Sequence, residues 1–159
     1  MKIIIAGAGE VGFHLAKLLS FESHDITLID NKKSSLNIAE NKLDIKTIEG
    51  NSASISVLKS ADVENSDLVV SLTTSETTNF TTCFLSKQLG AKRTIARISN
   101  TEFIKDCNEI DFDLIGIDEL TALTKRGGSN NWQVSGKGKV HILKGLKEQQ
   151  LIAGDEISF

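Results

Sequence analysis

The chain has 159 residues, 40% of them apolar and 25% charged, with a formal net charge of −3. That is enough for one full domain with a short appendage, and too much apolar content for a disordered chain. Acidic and basic residues mix along the whole length without a basic stripe, which argues against nucleic acid as a partner. No apolar run approaches the ~20 residues a membrane-spanning helix needs.

The start of the chain, Met1-Lys2-Ile3-Ile4-Ile5, runs directly into glycines without the apolar region of a signal peptide, so a cytoplasmic protein with no transmembrane segment of its own is expected. Cys83 and Cys107 lack CxxC spacing and sit beside the apolar Phe84 and Ile104, which reads as buried thiols. The three histidines, His14, His24 and His141, have no zinc-like spacing, and no metal is expected. Proline is absent, although ordinary usage of ~5% would supply roughly eight, so helices must stop on Gly, Asn, Asp or Ser.

In chain order, residues 2–6 form a short β-branched run ended by Gly7, the pattern of a strand buried on both faces. Val11, Leu15, Leu18 and Leu19 recur at helical spacing over about 10–20. A second strand is expected at 25–30, a short helix around Leu36 and Ala39, a third strand at 45–48 and a turn at Gly50-Asn51. Ile55, Leu58 and Ala61 mark another helix, and 68–72 a fourth buried strand. A longer helix follows over roughly 76–89, with Phe80, Cys83 and Phe84 on one face and Gly90 as its stop. Residues 94–98 read as strand five, Asn100 as the cap of a helix carrying Phe103, Ile104 and Cys107, and 114–117 as strand six.

Near-continuous apolar strands alternating with helices require a parallel sheet covered on both faces. Right-handed crossovers then predict a Rossmann-like, doubly wound α/β fold with strand order 3-2-1-4-5-6. Residues 1–120 form this domain. Residues 121–138 read as a polar linker, and 139–159 as a short C-terminal β appendage, either an edge strand or part of a second domain. The short apolar pieces at 151–154 and 157–159 do not suggest a core of their own.

Chemistry concentrates in Gly7-Ala8-Gly9-Glu10-Val11-Gly12, a GxGxxG turn between a strand and a helix. Gly7 permits the tight turn, Gly9 leaves room for a diphosphate, and Gly12 lets the helix pack on the strand. The helix amino terminus offers unpaired N–H groups to phosphate. Asp30 ends the second strand, where a carboxylate can accept both hydroxyls of an adenosine ribose and repel a 2′-phosphate. This favours NAD or NADH over NADP and is also compatible with ATP or ADP. Helix capping is the competing role for Asp30, and solvated charge is the plain reading of Lys32 and Lys33.

Several motifs in register from Met1 to about Leu120 resemble the RCK (KTN, or TrkA-N) nucleotide-binding domain of Trk-type potassium uptake regulatory subunits. They are Ile-Ala-Gly-Ala-Gly-Glu-Val-Gly at 5–12, Leu-Ile-Asp at 28–30, Glu-Gly-Asn-Ser-Ala-Ser at 49–54, Leu-Thr-Thr-Ser-Glu-Thr-Thr-Asn at 72–79, Leu-Gly-Ala-Lys-Arg-Thr-Ile-Ala-Arg-Ile at 89–98 and Gly-Ile-Asp at 116–118. The resemblance implies a cofactor site built from Gly7 to Gly12, Asp30, Asn31, Gly50, Asn51, Ser52, Leu72, Thr73, Thr74, Asn79 and Arg97. Asn51 and Ser52 would lie by the adenine, Thr73 by the ribose and phosphates, Asn79 by the far half of the ligand, and Arg97 by phosphate charge. Each has a plainer alternative: a helix cap for Asn51 or Ser52, a solvated helix position for Asn79, an interface ion pair for Arg97.

Two departures stand out. Glu76-Thr77 occupies the place of the family's usual Asp-Glu, and Leu120-Thr121-Ala122-Leu123 replaces the Ser-Pro-Glu that opens its crossover helix. Residues 139–158 resemble the first strand and turn of the family's second, ligand-sensing domain. The resemblance further implies a homo-oligomer, dimer or tetramer, peripheral at the inner face of the membrane, where it gates a potassium transporter subunit. The alternative is a small NAD-dependent oxidoreductase. The chain has no tyrosine, and no histidine at the carboxyl ends of strands four to six, so no catalytic residue is expected. A redox-sensing repressor would need a DNA-binding element for which there is neither room nor basic charge.

Overall fold

The structure, a computed structural model, describes residues 1–99, 114–117, 121–125, 131–144 and 149–158. The chain divides into two compact units, Met1–Asn100 and Thr101–Phe159.

In the first unit β1 (Lys2–Ala6), β2 (Asp25–Asp30), β3 (Lys46–Glu49), β4 (Leu68–Ser71) and β5 (Thr94–Ala96) form one parallel sheet in the order β3-β2-β1-β4-β5. The central strand β1 sets the register, with Ile4 opposite Thr27 of β2 and Val69 of β4. Successive isoleucines of β1 point to opposite faces. Ile3 and Ile5 join Ala16, Ile26, Leu28, Leu36 and Ala39 in one core, which brings in residues of α1 (Glu10–Phe21) and α2 (Lys33–Glu40). Ile4 joins Ile29, Leu58, Ala61, Val63, Val69 and Ala91 in the other, beside α3 (Ile55–Ser60) and α4 (Glu76–Gln88). Each fully buried isoleucine contributes about 1.5–3 kcal/mol, so the Ile3-Ile4-Ile5 run binds both layers to one strand. The doubly wound Rossmann-like architecture is therefore present as expected, with helices on both faces.

Three expectations need correction. Strand six forms, as β6 (Leu114–Ile117), but it pairs antiparallel with β9 (Val140–Lys144) and not with β5, so the parallel sheet has five strands. The segment expected to be a linker contains β7 (Thr121–Lys125) and β8 (Asn131–Gly136), paired antiparallel. With β10 (Gln149–Leu151) and β11 (Glu156–Ser158) they complete two three-stranded sheets, β10-β9-β6 and β11-β8-β7. Finally, the short apolar pieces near the end do share a core: Val134, Val140 and Leu151 are buried together with Ile157 against them. A turn ties β10 to β8, because the Gly154 N–H donates to the Val134 carbonyl and the Val134 N–H to that of Asp155. The helix expected after Asn100, and Cys107 on it, lie outside the described residues.

The helix faces also differ from the periodicity. α1 buries the small residues Gly12 and Ala16, with Leu15 and Leu19 half-buried, and leaves Val11 and Leu18 exposed. α4 buries Asn79, Thr82, Cys83 and Ser86, while Phe84 is exposed and lies parallel to Phe80 with ring centroids 6.2 Å apart. Small side chains let a helix axis approach the sheet more closely than large apolar ones do.

Candidate functional site

The carboxyl ends of β1, β2, β4 and β5 share one edge of the sheet, where an open α/β sheet changes direction and binds its ligands. The Gly7 N–H donates to the Ile29 carbonyl, anchoring the loop to β2. Gly7 has φ of +103°, and a Cβ there would lie 3.0 Å from Leu72 C and Thr73 N, so the loop packs directly on the turn after β4. A Cβ on Gly12 would sit 1.9 Å from the Gly7 carbonyl oxygen, which leaves no room for a side chain. Gly9 is different: nothing lies within 4 Å of its Cβ position. Gly9 is also the N-cap of α1 and brings no side chain to its first turn, whose N–H groups stay available to an anion.

Asp30 is fixed beside this loop. Its Oδ2 accepts from the Ala8 N–H at 2.6 Å and its Oδ1 from the Lys32 N–H at 2.7 Å. Each oxygen keeps a further lone pair, so the carboxylate holds the glycine loop in shape and can still accept hydroxyl donors. Asn31 beside it is exposed. The Gly50 N–H donates to the Asp30 carbonyl, which brings the turn after β3 to the same edge. There Asn51 is exposed, and its Oδ1 accepts from the Ala53 N–H at 3.0 Å, a local turn that leaves its NH2 group for other partners.

Ser52 and Asn79 need a different account from the expected one. Ser52 is buried, and the Thr82 hydroxyl of α4 donates to its Oγ at 3.1 Å, so its side chain is used within the fold. Asn79 is only 1% exposed. Its Oδ1 accepts from the Thr73 N–H at 2.8 Å, and its Nδ2 donates to the Thr73 carbonyl at 3.0 Å and the Arg97 carbonyl at 2.8 Å. It is neither a solvated helix residue nor a group facing the crevice.

Leu72 is half-buried against the core, and its N–H closes the ladder on the Ala6 carbonyl. Thr74 is exposed, and so is Arg97, whose guanidinium has no ion pair among the described residues. Ser75 caps α4 by accepting from the Thr78 N–H. Three residues of this edge were not among the expected ones: Ser71, Glu76 and Thr82. Ser71 Oγ donates to Asn79 Oδ1 at 3.0 Å, and Glu76 Oε1 accepts from the Ser99 N–H at 2.8 Å. Ser71 carried one local signal, a polar residue closing an otherwise apolar buried strand.

The glycine loop, the Asp30 carboxylate bonded to it and the turn after β4 packed on Gly7 thus meet at the carboxyl edge of a Rossmann-like domain. The chain belongs to the TrkA-N family: the TrkA-N domain matches residues 3–118, in line with the resemblance carried by the motifs. The Trk system potassium uptake protein TrkA of Haemophilus influenzae is 38% identical over 122 residues, which cover 76% of this chain and 27% of that protein. The chain spans about a quarter to a half of the length of the curated relatives it matches. Among solved structures, the NAD(P)-binding domain of an exopolyphosphatase-related protein from Archaeoglobus fulgidus has a TM-score of 0.59 at 17% identity, covering 67% of this chain and 80% of that one. The GsuK channel bound to NAD has a TM-score of 0.51 at 14% identity, covering 89% of this chain and 28% of that one. Both are likenesses of fold.

Proposed function

We propose that this chain is the nucleotide-sensing part of a potassium uptake system, binding NAD(H) or an adenine nucleotide and regulating a membrane potassium transporter without turning its ligand over. One observation carries the nucleotide reading: the Asp30 carboxylate is hydrogen-bonded to the glycine loop beside an α1 amino terminus that no side chain caps. A diphosphate fits against Gly9 and the first turn of α1, and an adenosine ribose against Asp30. Asn51 is available to the base and the exposed Arg97 to the remainder of the ligand, while Thr73, its N–H, carbonyl and hydroxyl engaged by Asn79, lines the turn beside them. The potassium-transport reading comes from the relatives named above, together with family membership over residues 3–118. Among the described residues no helix is long and apolar enough to cross a membrane. A place as a peripheral subunit at the inner face of the membrane, assembled with further copies of itself, completes the proposal.

Calorimetric titration with NAD, NADH, ATP and ADP tests this. At least one of the four binds, NADP binds more weakly than NAD, and Asp30→Ala weakens binding by roughly 1–3 kcal/mol, the range for losing a charged hydrogen-bond partner. A chain that binds none of them, or an Asp30→Ala variant with unchanged affinity, overturns the assignment.

A further inference from the structure

We propose that Asn79 is a positioning residue of the nucleotide site: without touching the ligand, it locks the turn after β4 and the end of β5 into one unit, and so sets where Thr73 and Arg97 meet the ligand's far half. This rests on the nucleotide-binding reading above.

A carboxamide has two N–H donors and one carbonyl acceptor. Both donors of Asn79 are spent, one on the Thr73 carbonyl at 3.0 Å and one on the Arg97 carbonyl at 2.8 Å. Its Oδ1 receives the Thr73 N–H at 2.8 Å, the Thr73 hydroxyl at 2.7 Å and Ser71 Oγ at 3.0 Å. At 1% exposure none of this capacity is left for a ligand.

The partners are the ones the site depends on. Leu72 is the last residue of the β4 end whose N–H reaches β1, so Thr73 lies just beyond the ladder, and Asn79 holds both its backbone groups. The same turn backs onto Gly7. Arg97 donates its own N–H to the Ser71 carbonyl, and Asn79 takes its C=O, which fixes the peptide on both sides while the guanidinium stays exposed. Asn79 itself is anchored in the first turn of α4, whose cap Ser75 lies between Thr73 and Asn79 in sequence. A buried carboxamide in this arrangement resists rearrangement, because breaking any of its bonds strands a polar group away from water.

The test compares a ligand confined to the adenosine half with one that spans both halves. AMP and NADH are titrated calorimetrically into the wild-type chain, Asn79→Asp and Ser71→Ala, and amide hydrogen exchange is followed at Thr73. Asn79→Asp is isosteric but has no donor for the two carbonyls. It lowers NADH affinity about tenfold, leaves AMP within about twofold of wild type, and speeds Thr73 exchange at least about tenfold, with β1 and β2 amides unchanged. Ser71→Ala keeps the amide and removes one donor to it, giving a loss of NADH affinity of about two- to threefold in the same pattern. It carries the test alone if Asn79→Asp does not fold. Equal losses for AMP and NADH indicate a merely structural residue and overturn the proposal, as does an unchanged NADH affinity. A wild-type chain that binds neither ligand overturns the nucleotide reading itself, a result separable from the others because it precedes any substitution.

Discussion

At the scale of single residues, the glycines and Asp30 do separable jobs. Gly12 faces the Gly7 carbonyl oxygen so closely that a methyl group would overlap it at 1.9 Å, whereas the space beside Gly9 is open. Gly12→Ala is therefore expected to destabilise the chain by about 1–3 kcal/mol or more, the usual cost of overpacking. Gly9→Ala should cost at most about 1 kcal/mol, chiefly through its position as an N-cap. Urea midpoints compared across the two variants check the contrast, and equal midpoints would contradict it. These roles were legible in the sequence because a strand-GxGxxG-helix junction makes nearly all its contacts within a few residues of itself. The roles of Ser52 and Asn79 were not. A hydroxyl or carboxamide takes whatever partner the fold delivers, and theirs come from Thr82, 30 residues away, and Arg97, 18 residues away.

At the scale of elements, α4 shows why apolar periodicity misleads at a functional edge. The pattern places Phe80, Cys83 and Phe84 on one face; Cys83 does turn inward, but with Asn79, Thr82 and Ser86 in place of the two phenylalanines. These small and polar side chains lie between α4 and the sheet, and Asn79 bonds the backbone just beyond β4 and β5. Among the described residues the buried Ser86 hydroxyl has no hydrogen-bond partner. Cys83 is enclosed with it, and burial pushes its thiol up to about 12, leaving almost no thiolate at neutral pH. In a Cys107→Ser background, a disulfide reagent should therefore label Cys83 only as the chain opens, at a rate that climbs with denaturant. Immediate stoichiometric labelling of the folded chain would show that α4 does not seal the thiol.

At the scale of the whole molecule, two ion pairs brace the first unit at the start of β1 and the approach to β4. Lys2 pairs with Asp62, and Lys92 with Asp67 at 2.7 Å, while Asp67 also accepts the Lys2 N–H at 2.8 Å. The hydrogen bond from Lys92 and the one from the Lys2 backbone hold the Asp67 carboxyl below its ordinary value, and Lys2 and Asn65 do the same for Asp62. A carboxyl lowered on folding stabilises the chain above the unfolded value and loses that contribution as pH falls through the folded one. Thermal stability should thus fall below about pH 4. Asp67→Asn should lower the melting temperature at pH 7, more so at low salt, and the gap to wild type should close on acidification. A gap that does not change with pH would remove the ion pair from this account. Strand six carried the apolar pattern of a sixth parallel strand, yet β9 takes it as an antiparallel partner.

By itself the sequence determined the layered α/β architecture, the order of the first five strands, the glycine loop and Asp30, because burial on both faces of a strand and the chemistry of a tight phosphate turn are written in neighbouring residues. Tertiary structure alone decided which strand β6 joins, that 121–125 and 131–136 become paired strands, that Val134, Val140 and Leu151 share a core, and that Asn79 and Ser52 turn inward. Those outcomes depend on competition among partners distant in the chain. Hydrogen-bonding edges and carboxamides accept more than one partner, and only packing settles which one they meet.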